Sequence, residues 1–197
     1  MDWRWETEYI QKGYPERAIC GVDEAGRGPL AGDVYAAAVI LPYQIEIKGL
    51  NDSKKISHKR REEIYEVIRS CAISYAFATA SVEEIEQLNI LGAAQLAMRR
   101  AVSMLSPAAQ IALIDGNIAR DFDIATQTVI GGDAVSPSIA TASIVAKVER
   151  DRYMLQLHER YPMYGFDKHM GYPTALHKQM IAQYGLTEVH RKGFKYY

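Results

Sequence analysis

The stretch Gly21-Val-Asp-Glu-Ala-Gly-Arg-Gly-Pro-Leu-Ala-Gly32 sets two adjacent carboxylates at the end of an apolar run and follows them with a glycine-rich turn. Upstream, Ala18-Ile19-Cys20 reads as buried strand, and so does Val34 to Leu41 downstream, so the turn between them holds Asp23 and Glu24 at the rim of a sheet. Successive strand side chains point to opposite faces, and both acids therefore serve one site only if the strand ends at Glu24. Ala25-Gly26 is a suitable place for it to end. Clustered acids without nearby cations repel one another, and a divalent metal ion relieves that repulsion. The turn lacks the Gly-Lys-Ser/Thr of a P-loop and the spacing of a dinucleotide fingerprint. Standing alone, the segment also fits a tight hairpin with two solvated acids.

Outward from this hairpin the pattern alternates between helix and strand. Ser57 to Arg69 predicts a helix with Ile64, Tyr65 and Ile68 on one face, and Cys71 to Ala80 the next strand. Ser81-Val-Glu-Glu84 is a capping-box pattern opening a short helix, and Ile90 to Leu105 reads as another, ended near Ser106-Pro107. Ile111-Ala-Leu-Ile-Asp115-Gly116 then repeats the logic of Asp23, an apolar strand terminating in an acid and a glycine. Gln127 to Ile130 predicts a short strand and Gly131-Gly-Asp133 a turn. Ser136-Pro137 starts a long helix running to about Arg160, which Tyr161-Pro162 stops. A loop dense in aromatic and basic residues, Tyr164 to Thr174, leads to a last helix near Ala175 to Tyr184. Five strands interleaved with helices predict an α/β fold, a mixed sheet flanked by helices with the acids at one edge.

The 197 residues suit one domain spanning 1–197, with a C-terminal helical region from about 160 to 197. No apolar stretch is long enough to cross a bilayer, and Met1 to Gln11 lacks the apolar centre of a signal peptide, which makes the cytoplasm the expected location and leaves no membrane partner. Cys20 and Cys71, isolated within apolar strand-like segments, read as buried thiols rather than a disulfide or a thiolate metal site. A net charge of −1 argues against bulk electrostatic binding of nucleic acid. Basic residues nevertheless cluster at Lys54, Lys55, Lys59, Arg60 and Arg61, and again among Lys147, Arg150, Arg152, Arg160, Lys168, Lys178, Arg191, Lys192 and Lys195. These fit either local nucleic-acid patches or solvated helix faces.

Asp23, Glu24, Asp115 and Asp133 all fall at strand ends or in turns, where sheet proteins collect ligand-binding groups. Four carboxylates suit two Mg²⁺ or Mn²⁺ ions, which at a separation of about 3.5–4 Å can activate a water and stabilise a leaving oxygen in phosphodiester cleavage. The absence of clustered Cys or His speaks against structural zinc. Asp151 is a rival for the fourth acid. If the long helix begins at Pro137, however, Asp151 lies roughly 20 Å along its axis, so Asp133 is preferred and Asp151 expected to pair with Arg150 or Lys147.

The chain closely resembles bacterial ribonuclease HII, the type 2 ribonuclease H family. The resemblance spans nearly the whole chain and rests on Asp23-Glu-Ala-Gly-Arg-Gly28, Asn51-Asp-Ser-Lys-Lys55, Ile114-Asp-Gly116, SIATASIVAKVERD from Ser138 to Asp151, and Gly165-Phe166 through His169-Met-Gly-Tyr-Pro-Thr174. It implies an RNase H-like fold with a C-terminal helical extension. It also implies hydrolysis of the RNA strand of RNA/DNA hybrids and incision 5′ of single ribonucleotides embedded in duplex DNA, giving 3′-hydroxyl and 5′-phosphate ends. By the same resemblance Asp23, Glu24, Asp115 and Asp133 are the metal-binding and catalytic acids. Gly26, Arg27 and Gly28 read the ribose 2′-hydroxyl, mainly through the backbone, and Tyr172 stacks on the neighbouring deoxyribose. Lys54 and Lys55 meet phosphates, and Ser143 and Lys147 are further substrate-binding candidates or else structural.

Met170 stands where many members carry lysine, a departure that bears on substrate affinity rather than chemistry, and Thr141 stands where alanine is common. His58, His158 and His177 read as surface or helix-end residues, while His169, beside the junction loop, is open to a substrate contact. Two rival readings are a ribonuclease HIII, disfavoured by Arg27 and the short N-terminus, and a non-catalytic nucleic-acid-binding module, disfavoured by the four acids. The expected partners are RNA/DNA hybrid and ribonucleotide-containing duplex DNA, met by a monomer. A sliding clamp is a candidate through the tail Gly193-Phe-Lys-Tyr-Tyr197.

Overall fold

In the computed structural model, which describes residues 1–51, 53 and 56–196, a helix α1 (Arg4–Gln11) leads to strand β1 (Ile19–Ala25) and strand β2 (Val34–Ile40). Helix α2 (His58–Cys71), β3 (Ser74–Ala80), α3 (Val82–Ser103), β4 (Ile111–Asp115) and β5 (Ala125–Val129) follow. The remainder is helical, with α4 (Gly132–Val135), α5 (Pro137–Arg160), α6 (Phe166–His169) and α7 (Ala175–Tyr184). The strands form one mixed sheet in the order β3-β2-β1-β4-β5. β2 runs antiparallel to both β1 and β3, whereas β1, β4 and β5 are mutually parallel. This is the expected α/β architecture.

Helices cover both faces of the central strands, which is why β2 is apolar and buried along its full length. On one face Cys20, Val22, Ala36 and Ala38 meet Ala93, Ala97 and Met98 of α3. On the other, Ala37 and Val39 meet Ile64 and Ile68 of α2 and Ile144 and Val145 of α5. The start of α5 lies directly on β1, so close that a Cβ on Gly21 would stand 2.0 Å from the Ser138 carbonyl carbon. Ser136 caps this helix, its hydroxyl accepting the Ile139 N–H at 3.3 Å, and Pro137 occupies the first turn, where no N–H is needed.

Three local expectations shift. The two helices predicted on either side of residue 89 form one helical run broken at Asn89, whose φ is 57° and whose side chain accepts the N–H groups of Leu91 and Gly92 to restart the helix. Cys71 closes α2 instead of opening β3, because Ala72 breaks the helix and the strand begins at Ser74. Both cysteines are free, and burial pushes the Cys20 thiol up to about 12. α1 was not read from the sequence. Its Glu6 is buried and accepts from the Ser136 hydroxyl (2.6 Å) and the Ser138 N–H (3.2 Å) at the N-terminus of α5. Among the described residues no helix is long and apolar enough to cross a membrane.

Candidate active site

β1 remains paired with β2 as far as Ala25, but its parallel pairing with β4 stops at Val22 and Ile114. Beyond that point the two parallel strands part, leaving Asp23 and Glu24 on one lip and Asp115, the last residue of β4, on the other. The strand therefore does not end at Glu24. Asp23 lies on the α5 side, as Gly21 does, and Glu24 on the α3 side, as Val22 does. It is the loss of the neighbouring strand that lets two side chains of opposite orientation open into one cleft, beyond the carboxyl ends of the parallel strands where α/β sheets bind ligands.

The cleft is a cavity of about 420 Å³ with three walls. The acids Asp23, Glu24 and Asp115 form the first, the turn Gly26-Arg27-Gly28 with Tyr172 the second, and Ser53, Ser143 and Lys147 the third, with Ile90 completing the lining. A hollow of about 120 Å³ continues from Glu24, Arg27 and Asp115 toward Leu91, Gln95 and Asn117. Tyr172 packs on Gly28, where a Cβ would stand 3.5 Å from the phenol ring, and its own ring lies 6.0 Å from Lys147 Nζ and 5.9 Å from the Arg150 guanidinium.

Burial holds the Asp23 carboxyl well above the usual range, and the charges of Glu24 and Asp115 push it further, against hydrogen bonds from Ser143 and the Glu24 N–H. Burial also raises Glu24, which Arg27 partly offsets through an ion pair of 3.2 Å. Asp115 Oδ1 accepts the Gly132 N–H at 2.7 Å. Repelling carboxylates in a poorly solvated cleft are chemically suited to a hard divalent cation. Among the described residues, no three His, Cys, Asp or Glu side chains are closed up as a ready-made metal cage. Mg²⁺ does not require one, because it keeps several waters and takes one or two carboxylates together with substrate phosphate. The donor set fits such an ion.

Asp133 does not line the cavity; it is buried in α4, one residue beyond the Gly132 amide that Asp115 holds. The cleft opens alongside Ser143 and Lys147, in the second and third turns of α5. Asp151 is buried and pairs with Lys147 and, at 3.4 Å, with Arg61. Arg150 is not its partner, because its donors go to the carbonyls of Asp33 (3.3 Å), Met170 (3.0 Å) and Ala31 (3.2 Å). Lys54 and Lys55 lie outside the described residues. Ser53, between them and the asparagine of the same motif, was not singled out from the sequence. It is buried and its hydroxyl sits 2.8 Å from that of Ser143.

Two readings of basic side chains are also corrected. Arg61, Arg150 and Arg191 are buried, not solvated faces or phosphate contacts. His177 is not a surface residue but wholly buried, stacked on His169 with centroids 4.5 Å apart and 3.3 Å from His190 between their Nε2 atoms. His169 is likewise buried, its two nitrogens meeting the Tyr164 carbonyl and the Gly171 N–H, and it does not line the cavity.

The ribonuclease HII family model matches residues 20–197. Ribonuclease HII of Dechloromonas aromatica (strain RCB) is 54% identical over 180 residues, which cover 91% of this chain and 92% of that protein. Ribonuclease HII of Nitrosomonas europaea is 52% identical over 188 residues, 95% of this chain and 85% of that protein. Among solved structures, Archaeoglobus fulgidus RNase HII, in its complex with PCNA, is similar at a TM-score of 0.75 and 26% identity, over 90% of this chain and 95% of that one. Pyrococcus horikoshii OT3 ribonuclease H2 shares the fold at a TM-score of 0.73 and 22% identity, over 90% of this chain and 94% of that one. The matched region runs from β1 onward and takes in every cavity residue named above, so the chain belongs to the ribonuclease HII family of endonucleases.

Proposed function

We propose that this cleft hydrolyses the RNA strand of RNA/DNA hybrids and incises duplex DNA on the 5′ side of a single embedded ribonucleotide, leaving 3′-hydroxyl and 5′-phosphate ends. Those activities would serve ribonucleotide excision repair and RNA primer removal. The observation that carries the reading is the convergence of Asp23, Glu24 and Asp115 on a cavity whose facing wall is the Gly26-Arg27-Gly28 turn and Tyr172. One wall supplies hydrolytic chemistry, and the other a glycine-bordered backbone able to approach a 2′-hydroxyl, the atom that separates RNA from DNA.

The family depends on divalent metal in general, and in this chain Asp23, Glu24, Asp115 and Asp133 would hold two Mg²⁺ or Mn²⁺ ions. When bound, such a pair supplies water activation and stabilisation of the leaving oxygen. Asp23, starved of solvation, is poised to meet a cation. Arg27 fixes Glu24, and the Gly132 N–H fixes Asp115, so each carboxylate keeps its orientation before substrate arrives. Tyr172 stacks on the deoxyribose beside the ribonucleotide. Lys54, Lys55, Ser143 and Lys147 contact the nucleic-acid backbone, which positions the duplex without reading its sequence. The complex of the archaeal neighbour with PCNA supports a sliding clamp as recruiting partner of this monomer, through the tail that follows Lys192.

The test uses the full chain on duplex DNA carrying one ribonucleotide, with Mg²⁺ or Mn²⁺ and then with EDTA. One incision 5′ to the ribonucleotide is expected, with a 5′-phosphate product, silenced by EDTA and restored by metal. Equal cutting of an all-DNA duplex, or no cutting with either ion, overturns the reading.

A further inference from the structure

One side chain grips the glycine-rich turn from behind. Arg191, in the segment after α7, has 0% of its surface exposed, and each of its N–H donors ends on a backbone carbonyl of the turn between β1 and β2. Nε donates to Gly32 (2.7 Å), Nη1 to Arg27 (3.3 Å) and Pro29 (2.9 Å), and Nη2 to Gly26 (2.7 Å) and Asp33 (3.2 Å). A guanidinium has five such donors and no more. Arg191 makes no ion pair among the described residues, and the Phe194 ring lies 5.4 Å from its guanidinium. The main chain around it is also joined to the turn, with Arg191 N–H on the Leu30 carbonyl (2.9 Å) and Gly32 N–H on that of Val189 (2.8 Å).

This grip dictates what the other side of the turn presents. In a planar trans peptide the C=O of one residue and the N–H of the next point in opposite directions. With the Gly26 and Arg27 carbonyls turned onto Arg191, the N–H groups of Arg27 and Gly28 point away from it. Both residues are exposed at the cavity, and among the described residues no protein acceptor takes either N–H. Gly26 makes the reversal possible at φ +100°, and no larger residue fits, because a Cβ there would stand 2.1 Å from Arg150 Nε. The preceding residue, His190, supports the other member of the same wall, Tyr172. Its Nδ1 accepts the Thr187 N–H (3.0 Å), leaving the proton on Nε2 to meet His177, whose Nδ1 donates to the Tyr172 carbonyl (3.0 Å).

We propose that Arg191 is a positioning residue for ribonucleotide discrimination, its five-carbonyl grip fixing the direction in which the Arg27 and Gly28 N–H groups meet the 2′-hydroxyl. The inference rests on the role given above to Gly26-Arg27-Gly28. Lysine cannot replace it, since an ammonium keeps the charge but offers only three donors without the planar fork.

The test compares Arg191→Lys with the wild-type chain on a duplex carrying one ribonucleotide and on a continuous RNA/DNA hybrid, with affinity for an all-DNA duplex measured alongside. On the single-ribonucleotide duplex kcat falls about 100-fold, the scale of a misplacement of about 1 Å at a reacting centre. The loss on the hybrid, which offers a 2′-hydroxyl at every step, is smaller, and affinity for the all-DNA duplex is unchanged. A merely structural role would lower both activities together. Phe194→Leu, which keeps the guanidinium but removes its covering ring, must shift the same ratio in the same direction by less, and it decides the matter if Arg191→Lys does not fold. A folded variant with the wild-type ratio, or with equal losses on both substrates, overturns the proposal. Failure of the wild-type chain to distinguish one ribonucleotide from none would instead overturn the role of the turn itself.

Discussion

Asp133 and Asp151 separate two kinds of buried acid. Asp151 lies between Arg61 and Lys147 and holds both, while Asp133 sits one residue beyond the amide that fixes Asp115. Removing one partner of a buried ion pair strands the other charge, so Asp151→Asn is expected to lower stability by about 3 kcal/mol. Its effect on cleavage follows from a loosened Lys147 and is modest. Asp133→Asn should lower single-turnover cleavage by several orders of magnitude, as expected of a lost metal ligand. Thermal melts and single-turnover rates on both variants check this. A folded but inactive Asp151→Asn beside an active Asp133→Asn would reverse the assignment. The sequence exposed both acids, but not Arg61 as a partner, because that contact joins α2 to α5 across residues far apart in the chain.

Among the elements, α5 sets the geometry of the cleft, and Gly21 sets the seat of α5. The 2.0 Å approach of a hypothetical Cβ to the Ser138 backbone leaves no flexible side chain to give way, so Gly21→Ala must lift the helix from β1. Denaturant unfolding should show a loss of about 3 kcal/mol, and Ser143 and Lys147 would be displaced with the helix. An alanine variant of wild-type stability would contradict this seating. Strand and helix positions were legible because apolar runs such as Val34 to Ile40 and caps such as Ser81 and Ser136 act locally. The parting of β1 from β4 after Val22 was not legible. Whether a strand keeps its neighbour depends on where that neighbour turns away, and nothing in Asp23-Glu24-Ala25 records it. α1 was missed for a related reason, since it is anchored by Glu6 reaching Ser136 and Ser138.

Across the whole molecule, the C-terminal segments brace the site through Arg191 and a histidine stack. Their histidine stack illustrates this: burial lowers His177 and His190 to about 4 each, so both are neutral at neutral pH. The unfolded chain takes up these protons near pH 6.5, ahead of the folded one, so the stack's contribution is whole above that pH and declines as pH falls toward 4. The raised carboxyls of Asp23 and Glu24 act in the opposite sense, favouring the fold as they protonate, so the imidazole titration itself is the measurement. Ring-proton shifts of His177 and His190 should hold their neutral values down to about pH 5. A titration midpoint near 6.5 would contradict the closed stack. Asp23, Glu24 and Asp115 line one cleft, and their proposed task is to support metal-dependent cleavage rather than to hold the duplex. Single-turnover cleavage of a single-ribonucleotide duplex by Asp23→Asn at saturating Mn²⁺, with duplex affinity read on the same samples, tests it most directly. The expected rate is lower by several orders of magnitude at unchanged affinity; near-wild-type turnover would contradict a metal-binding role for Asp23.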